Sequence, residues 1–423
     1  MLQTSCSTTC PRLQSDYTEA LAQEPTLIQG AINREGPVQF ALAVKTDFLS
    51  RLGQKALEQA FEKALSTTRP VEVAAGRLLD MRLDARVLDL RLSADAACSR
   101  CLRVDATLDG KVFVDVPVLG PQMASLAGTL STVAPLLIEP GENGSLILKL
   151  DTREASRLAG VRASTQLDQL PPSWARALQS SVSRLVETAL SERLASVSLT
   201  HIQAPDLGIK DFRLVPTSFV TDPGSQSVII AFTSNLPFRG GSAIDPLTLP
   251  RPADGQDITL AVRPAILGEA LAVRMQQGTI ARRYTLSGEA QPTGAAHITL
   301  NHFNIVAMND PHDPNRHGLD LGFRVWTLGS TGSCFALNGK ANGRIALKNG
   351  QLDTVLSDLS FSDSVLANPA NWLSSQFLSE GKTIAQRPFD RNVLLAPGVA
   401  FQLKGQSLRV ENDFVVLSAT AGN

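Results

Sequence analysis

The chain has 423 residues, 39 basic against 40 acidic, and 43% of it is hydrophobic. That length allows two or more domains with substantial cores, and a formal charge of −1 gives no electrostatic case for binding nucleic acid or an anionic membrane surface. Only 19% of residues are charged and 5% aromatic; the apolar content is mostly Leu, Ala and Val, and no window approaches the ~20 uninterrupted apolar residues of a membrane-spanning helix. A soluble, folded protein is the expectation.

The opening stretch MLQTSCSTTCPRLQSDY has neither a basic n-region nor an apolar h-region, so as written it reads as carrying no signal peptide. LQTSC is similar to the end of a bacterial lipoprotein signal, with Cys6 in the lipidated place. Up to about Arg34 the sequence is polar and unpatterned and reads as a flexible, extended N-terminal arm, residues 1–34.

PVQFALAV alternates over Val38, Phe40, Leu42 and Val44 and predicts a strand. Thr46 or Asp47 then caps a helix with Leu49, Leu52, Ala56, Ala60 and Ala64 in one stripe and Phe48, Leu57, Phe61 and Leu65 beside it. From Val71 to about Leu150 the period changes to two, predicting long antiparallel strands joined by short turns, including turns at Asp109-Gly110 and Asn143-Gly144. Pro171 and Pro172 start a further helix, with Trp174, Leu178, Val182, Leu185 and Leu190 at helical spacing. Strands resume, and the Pro- and Gly-dense stretch 237–256 reads as a linker.

The programme then runs again. ITLAV predicts a strand, Pro264 begins a helix through Met275, more strands follow, and a second Pro-then-Trp helix starts near Trp372 before a closing strand pair. Both strand-to-helix junctions read LAV followed by a basic residue, Lys45 or Arg263. Four landmarks recurring in order mean two copies of one fold, residues 35–236 and 257–423.

Strand, helix, several long strands, helix and closing strands, found twice, resembles the tubular lipid-binding superfamily in its two-module form, that of bactericidal/permeability-increasing protein. The residues carrying the resemblance are the junctions at Phe40–Leu65 and Ile258–Met275, the Trp174–Leu194 helix and the tail from Asn371. The resemblance implies an α+β fold of two tandem modules, each a long, highly twisted antiparallel sheet wrapped around a long helix, in an elongated pseudo-symmetric body. It implies non-enzymatic binding, transfer or presentation of phospholipid, fatty acid or another amphiphile, with acyl chains in apolar grooves between helix and sheet. The groove candidates are Leu49, Leu52, Leu57, Phe61, Trp174, Leu178 and Leu185, then Ile266, Leu267, Leu271, Trp372 and Phe377, each weighed against ordinary core. The alternative is an envelope scaffold whose grooves are filled by its own side chains. Two family features are missing: the cystine between strand and helix, since the Trp174 helix has no cysteine, and the basic lipopolysaccharide-binding module. The setting the resemblance implies is the periplasm or the outer membrane, where membrane association is open to it; the balanced charge leaves no case for nucleic acid.

Other chemistry is sparse. Cys98 and Cys101 flank a short turn and read as a local disulfide, free thiols or, with Cys6 and Cys10, a zinc set. His297, His302, His312 and His317 fall near Asp310 and Asp313, which fits a metal site but fits a surface loop better, so no metal or other cofactor is expected. No GxSxG, HExxH, GxxxxGKS or GxGxxG stands in a useful context, so no enzymatic activity is expected.

Overall fold

The two strands that open the repeated pattern, β1 (Phe40–Lys45) and β11 (Ile258–Val262), lie side by side in the computed structural model. The structure describes residues 6–60, 67–73, 77–116, 120–141, 145–151, 162–166, 180–186, 188, 198–203, 205, 207–238, 244–285, 289–308, 310–328, 334–361, 373–389, 394–395 and 402–422. These form a predominantly antiparallel α+β fold with few helices and three sheets.

The six-stranded sheet runs β18-β19-β11-β1-β10-β9, with β9 at Leu214–Asp222, β10 at Ser227–Ser234, β18 at Gln402–Glu411 and β19 at Phe414–Gly422. The order is unchanged when β1 exchanges with β11, β10 with β19 and β9 with β18. Phe40 faces Val262, Leu42 faces Leu260 and Val44 faces Ile258. Since Leu42 and Leu260 hold the same place in the repeated motif, a local two-fold axis passes through that pair. The backbone obeys it too: Lys45 N–H donates to Asp257 O at 2.9 Å and Arg263 N–H to Gln39 O at 3.0 Å.

Both faces of this sheet are covered. Phe40, Leu42, Val44, Ile258 and Val262 point into the main core. Ala41, Ala43, Ala261, Ile229 and Val416 point the other way, into a smaller core closed by Leu249 and Ile244. Those two covering residues come from the Pro-rich stretch expected as a linker, which carries a short 3-10 helix at Pro246–Thr248.

The eight-stranded sheet is built from β2 (Thr67–Val73), β3 (Arg77–Ala94), β4 (Cys101–Val116), β5 (Gly120–Pro140), β6 (Leu146–Leu150), β7 (Arg162–Gln166), β8 (Ser198–Ile202) and β17 (Leu394–Leu395). Alternation decides its faces. Along β4, Leu102, Val104, Ala106, Leu108, Val112 and Val114 are buried, while Arg103, Thr107 and Lys111 face solvent. On β3 the buried set changes parity at a bulge between Val87 and Asp89, which turns Leu88 outward to 50% exposure. The expected Asp109-Gly110 turn is not a turn. β4 runs straight through it, because Gly110 lies so close to the β3 backbone that a Cβ there would sit 2.3 Å from Asp84 O.

Helix α2 (Thr46–Ala60) packs on β3 and β8, and a helical segment α3 at 180–186 buries Val182, Leu185 and Val186. The five-stranded sheet is β12 (Arg283–Tyr284), β13 (Ala296–Val306), β14 (Arg316–Leu328), β15 (Cys334–Lys348) and β16 (Gln351–Phe361), in that order. Helix α4 (Pro264–Gln276) packs on β13 and α5 (Leu373–Gln386) on β16. β15 and β16 turn at Asn349 and Gly350, both at positive φ (52° and 79°), the Asn-Gly hairpin chemistry of a type I′ turn.

The segment expected as an extended arm contains α1 (Cys6–Ala22). It docks on β14 and β15, anchored by a Cys10–Cys334 disulfide and by Tyr17, which is buried edge-on to His297, 5.0 Å between centroids. Its pattern is weak in the sequence because one aromatic residue and one cystine, rather than a long apolar stripe, hold it.

Candidate functional site

The inner face of β3–β6 is apolar and buried along its described residues. The buried inward-facing residues of β3 run from Met81 to Ala94, and α2 lies against β3 and β8. Met81, Leu83, Leu102, Val104, Val112, Val114, Leu126, Leu130 and Leu136 share one continuous cluster with the core-facing side of the six-stranded sheet and with α4, β13 and β14.

The described groove candidates all belong to that cluster. Leu49, Leu52, Ile266, Leu267, Leu271 and Phe377 are at most 1% exposed, and Leu185 is 4% exposed. Phe377 of α5 stands 5.4 Å from Phe323 in an edge-on pair. Leu57 falls in α2 but its side chain lies outside the described residues, as do Phe61, Trp174, Leu178 and Trp372.

Two cavities open elsewhere, beside the C-terminal end of α1. One, of about 760 Å³, lies between α4, the β13 residues 299–303 and the segment 20–26. The other, of about 870 Å³, lies between α1, the end of α4 and Arg282–Arg283. No described groove candidate lines either. Between them Glu24 takes both Arg282 nitrogens, at 3.1 and 2.5 Å, a pair 5% and 17% exposed. Sequence reasoning missed these walls, because α1 gave no packing signal and Arg324 and Trp326 read as ordinary strand alternation.

The late histidines do not converge. His297 is buried beside Tyr17, His302 sits 3.4 Å from Asp320, exposed His312 donates its backbone N–H to Asp310, and buried His317 contacts Leu408 O at 3.0 Å. Among the described residues no group of three or more His, Cys, Asp or Glu is placed to hold a metal ion. Burial lowers the pKa of His297, assisted by Arg283 and Arg282. Burial pushes the Tyr284 hydroxyl up to about 12, assisted by Glu380.

Of the three readings of Cys98 and Cys101, the structure has the disulfide. The loop holding it spans residues 95–100, longer than the two-residue turn expected, and docks on β9 of the six-stranded sheet: Thr221 N–H donates to Ser99 O and its hydroxyl to Cys98 O. Cys10, expected beside Cys6, pairs instead across the chain with Cys334.

No helix among the described residues is long and apolar enough to cross a membrane. No family model matches the chain, and no curated protein matches it. Among solved structures it is similar to a lipopolysaccharide binding protein at a TM-score of 0.40 and 11% identity, covering 92% of this chain and 99% of that one. It is also similar to P47 from Clostridium botulinum A2 at a TM-score of 0.38 and 10% identity, covering 92% and 98%.

Proposed function

We propose that the chain is a non-enzymatic lipid- or amphiphile-binding protein of the tubular kind, holding acyl chains against the inner face of β3–β6 and, in the second half, between α4 and β13–β14. The observation that carries this reading is the single apolar cluster that joins the inward faces of β3–β6 to α2, α4, β13 and β14. An acyl chain needs little specific chemistry. Each methylene removed from water contributes about 0.8 kcal/mol, so a dozen contribute about 10 kcal/mol before ordering costs. The two disulfides support an oxidising compartment, which fits the periplasm or outer membrane; transfer between membranes or presentation to a partner would take place there.

One observation favours a second reading: the seven described groove candidates are sealed in core. A scaffold filled by its own side chains would look like this. Native mass spectrometry of the purified protein, followed by organic extraction, separates the two. Phospholipid or fatty acid released only on denaturation supports the carrier. A clean apo mass with no uptake of a fluorescent fatty acid or phospholipid leaves the scaffold.

A further inference from the structure

The 760 Å³ cavity beside α4 is within the size range of small-molecule sites. The wall from α4 presents the short Ala265, Gly268 and Ala272 and the longer Glu269, with Gly268 packed close to Phe303, and β13 adds Leu300. The polar wall comes from β14. Arg324 lies with its guanidinium carbon 4.1 Å from the Trp326 ring centroid, and Trp326 is in turn fixed by its indole N–H to Thr299 Oγ1 at 2.8 Å and by Tyr17 at 5.6 Å.

Arg324 is stacked on Trp326, and its Nε is buried and makes no hydrogen bond. Of the nearby charges, Glu24 pairs with Arg282 and His302 and Lys340 with Asp320, while Glu269 lines the same cavity. A planar donor fork held on an aromatic ring suits a carboxylate or sulfonate.

We propose that this cavity binds a small organic anion with a flat apolar body, its acidic group on Arg324 and its ring against Leu300, Phe303 and the short side chains of α4. The site shares α4, β13 and β14 with the second-half groove of the acyl-chain reading but is lined by none of the described groove candidates, and naphthoate binding tests it apart from that reading.

The test is calorimetric titration of the full chain with 1-naphthoate and with 1-naphthylmethylammonium, a cation of the same shape. The wild type should bind one naphthoate saturably, at least tenfold tighter than the cation. R324Q should weaken naphthoate at least tenfold. A265F, at an exposed α4 position and leaving Arg324 untouched, should block it by filling the cavity, and it decides the matter if R324Q does not fold. Absence of saturation by naphthoate at millimolar concentration, equal affinity for the cation, or wild-type affinity in A265F would overturn the proposal.

Discussion

The two strand-to-helix junctions share a motif and a local two-fold axis, yet they solve the same problem with different chemistry. At the first, Lys45 reaches Ser225 O at 2.8 Å, Thr46 begins α2, and that helix keeps an exposed side at Asp47, Arg51 and Lys55. At the second, Arg263 is buried. Its Nε donates to Val38 O at 2.7 Å and its guanidinium lies over Phe414 at 4.7 Å, while ten of the thirteen residues of α4 are buried. A compact ammonium on a flexible stem satisfies the half-exposed position, whereas a planar, weakly hydrated cation is needed where aromatic rings surround it. A repeat can therefore keep its backbone symmetry while each copy adapts its side chains to what covers it.

The largest effect should come at the axis itself. Leu42→Ala and Leu260→Ala remove equivalent core side chains, and each should cost about 2–5 kcal/mol. Because the six-stranded sheet takes strands from both ends of the chain, denaturant unfolding of either variant should remain a single transition. Two separated transitions would mean that the halves are energetically independent.

Arg263→Lys should cost about 1–2 kcal/mol, since it loses the stack and leaves a buried carbonyl without its donor. Lys45→Arg should stay within about 0.5 kcal/mol. Equal costs in urea melts would contradict the assignment of different roles.

The helices offer a finer contrast. A Cβ at Gly53 of α2 would meet only the ends of Leu90 and Leu199 side chains, at 2.9 and 3.2 Å, which can move. One at Gly268 of α4 would meet Phe303 Cβ at 3.0 Å and its backbone N at 3.4 Å, which cannot. Alanine improves helix propensity by about 1 kcal/mol, so Gly53→Ala should be near neutral and Gly268→Ala destabilising in the same melts.

The smallest effect is one of pH. His297 lies in the second half, and burial depresses its pKa below the ordinary value of 6.5. The unfolded chain therefore takes up the proton first. Stability from the neutral, packed imidazole is present above about pH 6.5 and falls as the pH drops through the lower folded value. Thermal melts at pH 7 and pH 5 should show a larger drop for the wild type than for His297→Gln; identical drops would remove His297 as the cause.

Local pattern carried much of the fold. The alternation of β4, the repeated LAV junctions and the Pro264 helix start each follow from which side chains must face inward, so they can be read residue by residue. Long-range choices could not be. Nothing near Cys10 indicates a partner 324 residues away, and α1 is held by contacts whose other halves lie on β14 and β15. Asp109-Gly110 carries the chemistry of a turn, but the glycine serves a close approach between strands instead. The groove candidates were chosen by helical spacing, which finds inward-facing residues without separating those that touch core from those that touch a ligand. Arg324 shows the converse: a charged residue in a strand looks solvated until the fold lays it on Trp326.

The most direct measurement for the lipid-binding reading is photo-crosslinking with a diazirine-bearing palmitate, followed by residue-level peptide mapping. The account predicts light-dependent labelling, competed by unlabelled palmitate, on inward-facing positions of β3–β5 such as Met81, Val112 or Leu126, or on the α4–β13 face. Labelling confined to outward-facing positions such as Arg86, Arg103 and Lys111, or none that competitor removes, would contradict it.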